Sequence, residues 1–141
     1  EFLDQLQDFM KDFFDADFVI GHNVQFDIKF LKHELNSLYE VGMIDETWEP
    51  KNSFCTMAYY KNICNIPAPR GNGIKNPKLS EVIDFLNISQ DKIATKANEL
   101  FQGSGNYHDA RFDTAAAYLL VIEGIKQKYI KPGFFSKQLK K

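Results

Sequence analysis

The sequence predicts an α/β domain that is rich in helix and short of sheet. Three observations predict it. Two short apolar runs, Phe18-Val19-Ile20 and Ser53-Phe54-Cys55-Thr56, each lead into a segment of helical periodicity, the order of a strand–helix–strand–helix unit with parallel strands. Several further segments carry apolar residues at helical spacing, and their faces ask for more sheet than two short strands provide. The length of 141 residues fits one domain with a real core.

The first helix begins at Phe2, with Leu3, Leu6, Phe9, Met10 and Phe13 on one side and Asp4, Gln5, Asp8 and Lys11 on the other. Asp15-Ala16-Asp17 breaks it, and Phe18 to Ile20 suits a buried strand. Gly21-His22-Asn23 closes that strand and opens a second helix. Its inner face is expected to be Phe26, Phe30, Leu31 and Leu35, and it should fade near Asn36. Residues 40–50 read as a polar connection holding the only tryptophan, Trp48. Ser53 to Thr56 forms the second strand, running into a helix to about Asn62.

Residues 66–77, with three prolines and two glycines, must be a loop. Leu79 to Leu86 and Asp91 to Phe101 are expected helices, with Ser80 or Lys78 near the start of the former. Gln102 to Asn106 is a turn-rich hinge. The last helix runs from about Asp109 to Lys128, and its Ala115-Ala116-Ala117 stretch permits close packing. One domain is expected over residues 1–128, then a basic tail over 129–141. No acidic residue follows Glu123, while Lys126, Lys128, Lys131, Lys137, Lys140 and Lys141 do.

The thirteen phenylalanines fall mostly in periodic segments, as core residues do. A formal net charge of −2 gives no overall pull toward nucleic acid. The two cysteines, Cys55 and Cys64, form no Cys-x-x-Cys or Cys/His cluster, which argues against a disulfide staple or a zinc site and fits a reducing cytoplasm. No apolar run approaches membrane-spanning length and no signal peptide is present, so no membrane partner is expected.

Two stretches carry the chemistry: Gly21-His22-Asn23-Val24-Gln25-Phe26-Asp27 and Tyr107-His108-Asp109-Ala110-Arg111-Phe112-Asp113. Asp27 lies one turn into a helix that follows a strand, so its carboxylate stands over the strand's carboxyl end, where ligands of open α/β sheets gather. Asn23, one turn earlier, could reach the same space. Asp113 opens the late helix. His108, in the lead-in turn, can hang over the same cleft. Each has a plainer reading alone: Asp27 as a first-turn carboxylate favoured by the helix dipole, Asp109 as a cap, His108 as a surface-loop histidine. Together they suit phosphodiester hydrolysis, which needs positive charge at the phosphate oxygens, an in-line water and a base. Two Mg2+ or Mn2+ ions roughly 3.5–4 Å apart supply that charge, and such hard cations select oxygen ligands. A histidine with pKa near ~6.5 suits removal of the water's proton.

Gly-His-Asn-x-x-Phe-Asp after an apolar strand, followed by His-x-Ala-x-x-Asp opening a late helix, resembles the DEDDh superfamily of 3′–5′ exonucleases. That family includes epsilon-type proofreading subunits of DNA polymerase III, RNase T and oligoribonuclease. Phe54-Cys55-Thr56-Met57 and Lys78-Leu79-Ser80-Glu81-Val82 are similar to its intervening strand and helix. The resemblance implies a ribonuclease H-like fold, with Asp27 and Asp113 as metal ligands and His108 as general base. Asn23 and Phe26 would shape the substrate end. Single-stranded DNA or RNA 3′ ends are the implied substrate, and a DNA polymerase an implied partner. The family's first motif, Asp-x-Glu on a strand ahead of the opening helix, has no match in these residues. The expectation is therefore a portion of such a nuclease, with the N-terminal strands and two of four metal carboxylates missing, and with little or no activity by itself. The alternative is a non-catalytic nucleic-acid or protein-binding module of the same fold.

Overall fold

The computed structural model describes residues 2–102 and 110–139, with side chains from Asp8 onward in the first helix. The elements run α1 (Phe2–Asp15), β1 (Val19–Gly21), α2 (Val24–Glu40), β2 (Ser53–Cys55), α3 (Thr56–Cys64), α4 (Leu79–Phe85), α5 (Gln90–Phe101), α6 (Ala110–Lys126) and α7 (Phe134–Leu139). Among the described residues, β1 and β2 form a two-stranded parallel sheet, with Val19 opposite Ser53, Ile20 opposite Phe54 and Gly21 opposite Cys55. Parallel strands need a crossover, and α2 lies within it. The protein is thus α/β, helix-rich, with a small sheet.

Two expectations for α2 are corrected. The helix does not fade at Asn36 but continues to Glu40. Asn36 is a weak helix former, yet its Oδ1 accepts the backbone N–H of Trp48 at 3.2 Å, and Leu38 beyond it still packs on the core. The inner face is Val24, Ile28, Leu31, Leu35 and Leu38, at spacings of three and four. Phe26 and Phe30 lie on the far side, 69% and 59% exposed. Aromatic bulk suggested the wrong stripe, because an equally periodic aliphatic one was available.

Short local devices set the other boundaries. Ser89 caps α5, its Oγ accepting Lys92 N–H at 3.1 Å. Cys55 Sγ accepts Ala58 N–H at the start of α3, and both cysteines are free. The α4 cap is Lys78, not Ser80, and Glu81 reaches back to the Lys78 N–H at 2.8 Å.

Three apolar centres hold the helices. Met10, Val24, Ile28, Leu35 and Trp48 join α1 to α2. Tyr60, Val82, Leu86, Ile93 and Ala97 pack against Ala115, Ala116, Leu119 and Leu120, so α3, α4 and α5 surround α6. The third holds Phe54, Val121 and Ile130, covered by Phe134 and Phe135. Ile130, Phe134 and Phe135 of the expected tail therefore join the core, while Lys131 and Lys137 stay exposed.

Gly124 sits where α6 meets α3. The Tyr60 hydroxyl donates to the Leu120 carbonyl at 2.7 Å, and burial pushes its pKa far up. A Cβ on Gly124 would fall on that hydroxyl and within 2.9 Å of Ile130 Cδ1. Gly124→Ala is expected to cost about 2 kcal/mol in urea unfolding, as overpacking does, with part recovered in Gly124→Ala/Tyr60→Phe. An unchanged midpoint would refute the crowding.

Candidate metal centre

The turn between β1 and α2 is tight. Asn23 adopts the left-handed conformation, φ 72°, which Asn tolerates better than most residues, and its carbonyl accepts Phe26 N–H at 3.1 Å. Val24 is fully buried directly after it. These constraints place Asp27 in the first turn of α2, facing back over the end of β1.

Asp27 and Asp113 line the same cleft, of about 700 Å³. One wall is the end of β1, with Ile20, Gly21 and His22. The other is a stripe of α6 at helical spacing: Ala110, Asp113, Thr114, Ala117, Tyr118, Val121 and Ile122. Leu79 of α4 closes one side. On the opposite side of α6, Phe112, Ala115, Ala116 and Leu119 are buried, which fixes the rotation of the helix and aims Asp113 into the cleft.

Gly21 makes room for the carboxylate. A Cβ there would stand 3.0 Å from Asp27 Oδ2 and 3.4 Å from Val24 Cγ2. Val24 is anchored in the core, so the carboxylate must move. Gly21→Ala is expected to weaken Mn2+ binding by about tenfold with little change in thermal midpoint, a ligand-orientation effect. Calorimetry showing unchanged affinity would refute this role.

His22 is held, not free. Its Nε2 donates to the Pro77 carbonyl at 2.7 Å, and its Nδ1 lies 2.9 Å from the Thr56 hydroxyl, which is also 3.3 Å from the Gly21 carbonyl. A carbonyl only accepts, so Nε2 carries a proton, while the Thr56 hydroxyl, which donates to the Gly21 carbonyl, stands within hydrogen-bond distance of Nδ1. Burial lowers the His22 pKa, and the Pro77 bond opposes this only partly. The ring therefore ties β1 to the start of α3 and to the lead-in of α4.

Desolvation by the cleft wall raises the Asp27 pKa, although the residue reaches solvent. The Thr114 hydroxyl is engaged with the Ala110 carbonyl at 2.8 Å. Lys96 Nζ lies 5.6 Å from the centre of the Tyr118 ring and backs it from α5.

The structure thus brings together Asp27 and Asp113. Asn23 is exposed without a side-chain cap bond, Phe26 is exposed, and neither lines the cleft. His108 lies outside the described residues. Sequence reasoning missed Gly21 as the space for Asp27, and Tyr118 and Leu79 as walls. Tyr118 was accessible from Asp113 by counting one helical turn and one residue.

Two carboxylates on facing elements suit Mg2+ or Mn2+, which take oxygen ligands and bind through one or two carboxylates, water and substrate phosphates. Among the described residues no group of three or more His, Cys, Asp or Glu comes together. No helix among the described residues is long and apolar enough to cross a membrane. No protein-family model, curated protein or solved structure matches the chain.

Proposed function

We propose that the chain belongs to a metal-dependent 3′–5′ exonuclease of the DEDDh kind, with a ribonuclease H-like fold, acting on single-stranded ends of DNA or RNA. The observation that carries this reading is the convergence of Asp27 and Asp113, distant in sequence, on one cleft. Bound Mg2+ or Mn2+ would supply positive charge at the phosphate and lower the pKa of the attacking water. Asp27 and Asp113 would hold it from opposite walls of the cleft. His108, by the resemblance, would take the water's proton. Tyr118 and the apolar surfaces of Ile20 and Ile122 receive the terminal base and sugar.

Two carboxylates of the four that the family uses are matched in these residues, so the chain's own rate should be low and Mn2+ binding is the first readout. A single-stranded oligonucleotide labelled at its 5′ end should shorten slowly from the 3′ end, only with Mg2+ or Mn2+. Digestion from the 5′ end, or digestion unaffected by EDTA, would sink the reading. The second reading, a non-catalytic binding module, is favoured by the count of two carboxylates. It expects oligonucleotide or protein binding with no shortening at any metal concentration.

A further inference from the structure

Between Glu49 and Glu81 the sequence holds no acidic residue and five basic ones, Lys51, Lys61, Arg70, Lys75 and Lys78, in a chain of formal net charge −2. The fold brings both ends of this segment to the cleft. Near its start, β2 pairs with β1, Cys55 opposite Gly21. Near its end, the Pro77 carbonyl accepts from His22, and Leu79 forms part of the cleft wall.

Between these anchors the chain makes a pinned hairpin. Ala68 N–H donates to the Gly73 carbonyl and Lys75 N–H to the Ile66 carbonyl, both at 2.9 Å, with Pro67 bridged to Ile74. Gly71, φ +83°, turns the tip. Arg70 is exposed beside it and makes no ion pair among the described residues. Lys75 is engaged by Glu81 at 2.6 Å and fixes the base of the hairpin. Lys78 is exposed, between Pro77 and the cleft residue Leu79.

We propose that this acid-free segment is the phosphate-gripping flank of the cleft. Arg70 on its hairpin and Lys78 at its foot hold the sugar–phosphate backbone of a single strand whose end lies between Asp27 and Asp113. The inference rests on the exonuclease reading for the identity of the strand. Two cleft carboxylates repel a polyanion, so affinity must come from beside the cleft, and release of counterions by Lys and Arg supplies it. Arg70 offers a planar fork suited to phosphate, and a pre-bonded hairpin loses little freedom on binding. The exposed Tyr118 ring gives a base a stacking surface, which an acidic protein would not use.

The test is fluorescence anisotropy of a labelled oligothymidylate with the full chain in EDTA, across a salt series. Arg70→Ala/Lys78→Ala should bind about tenfold more weakly and lower the log–log salt slope by about 1.4, two contacts at roughly 0.7 each. Lys11→Ala, on exposed α1 surface, should match the parent chain. The proposal is overturned if the parent chain fails to bind at low salt. It is also overturned if the double variant keeps the parental slope, or if polyglutamate competes as well as oligothymidylate. Mn2+ binding by the parent chain separates the two ideas: oligothymidylate binding that depends on Arg70 and Lys78 in a chain that binds no Mn2+ upholds the flank and refutes the nuclease. Shortening that ignores both cations does the reverse.

Discussion

Asp113→Asn is expected to weaken Mn2+ binding by at least about 100-fold without loss of helix. The side chain lies in the first turn of α6, exposed toward the cleft, so the substitution removes a charge and leaves the packing of Phe112, Ala115 and Ala116 intact. Asparagine keeps one oxygen donor but gives up the negative charge that a hard divalent ion selects. Asp27→Asn should have a similar effect, with a further consequence for pH. Desolvation holds the Asp27 carboxyl above its ordinary pKa, so proton and cation compete for it. Mn2+ affinity should rise with pH through that raised value, level off above it, and release a proton within the window. The metal-free fold has the opposite slope. A raised carboxyl pKa means the folded state holds the proton more tightly, so stability falls slightly as pH rises through the same window. Titration of free Mn2+ by electron paramagnetic resonance across pH measures the affinity, and urea unfolding in EDTA across pH measures the stability. A pH-independent affinity, or Asp113→Asn binding as tightly as the parent, would sink the two-carboxylate centre.

The element order was legible because it rests on local rules. Val19 to Gly21 and Ser53 to Cys55 are short apolar runs that end where a helix pattern begins, and the structure has β1 and β2 there in parallel register. The rotation of α2 was not legible. Phe26, Phe30, Leu31 and Leu35 make as regular a stripe as Val24, Ile28, Leu31 and Leu35, and only the packing of Met10 and Trp48 decides between them. The convergence of Asp27 and Asp113 was read from motif order. The cleft between them depends on Gly21, whose missing Cβ matters only once Asp27 folds back over it. The fate of residues 129–139 was hidden by their lysines. Ile130, Phe134 and Phe135 are too few to form a periodic signal, yet they find Phe54, which ring contacts at 5.7 Å and 5.1 Å record.

Trp48→Ala is expected to cost about 4 kcal/mol, a large share of the roughly 5–15 kcal/mol that holds a domain together. The residue lies in a connection without helix or strand, yet it is 1% exposed. Its ring meets Phe13 edge-on at 5.7 Å between centres, and its backbone N–H bonds to Asn36 Oδ1. Its indole Nε1–H donates to the Phe13 carbonyl at 3.3 Å. That carbonyl belongs to the last turn of α1, where helix carbonyls have no partner of their own. Trp48 therefore fills the gap between α1 and α2 and also satisfies the end of α1. Alanine removes both and leaves a cavity. Phenylalanine keeps most of the volume and loses the donor, so Trp48→Phe should cost about 1–2 kcal/mol. Urea unfolding followed by far-ultraviolet circular dichroism separates the two variants. The effect reaches the cleft through Val24, which packs in the same centre as Trp48 and stands against the Gly21 position that leaves Asp27 its space. Mn2+ affinity should therefore hold in Trp48→Phe and fall in Trp48→Ala in step with the unfolded fraction. A cost under about 1 kcal/mol for Trp48→Ala would show that α1 and α2 are held together by other contacts.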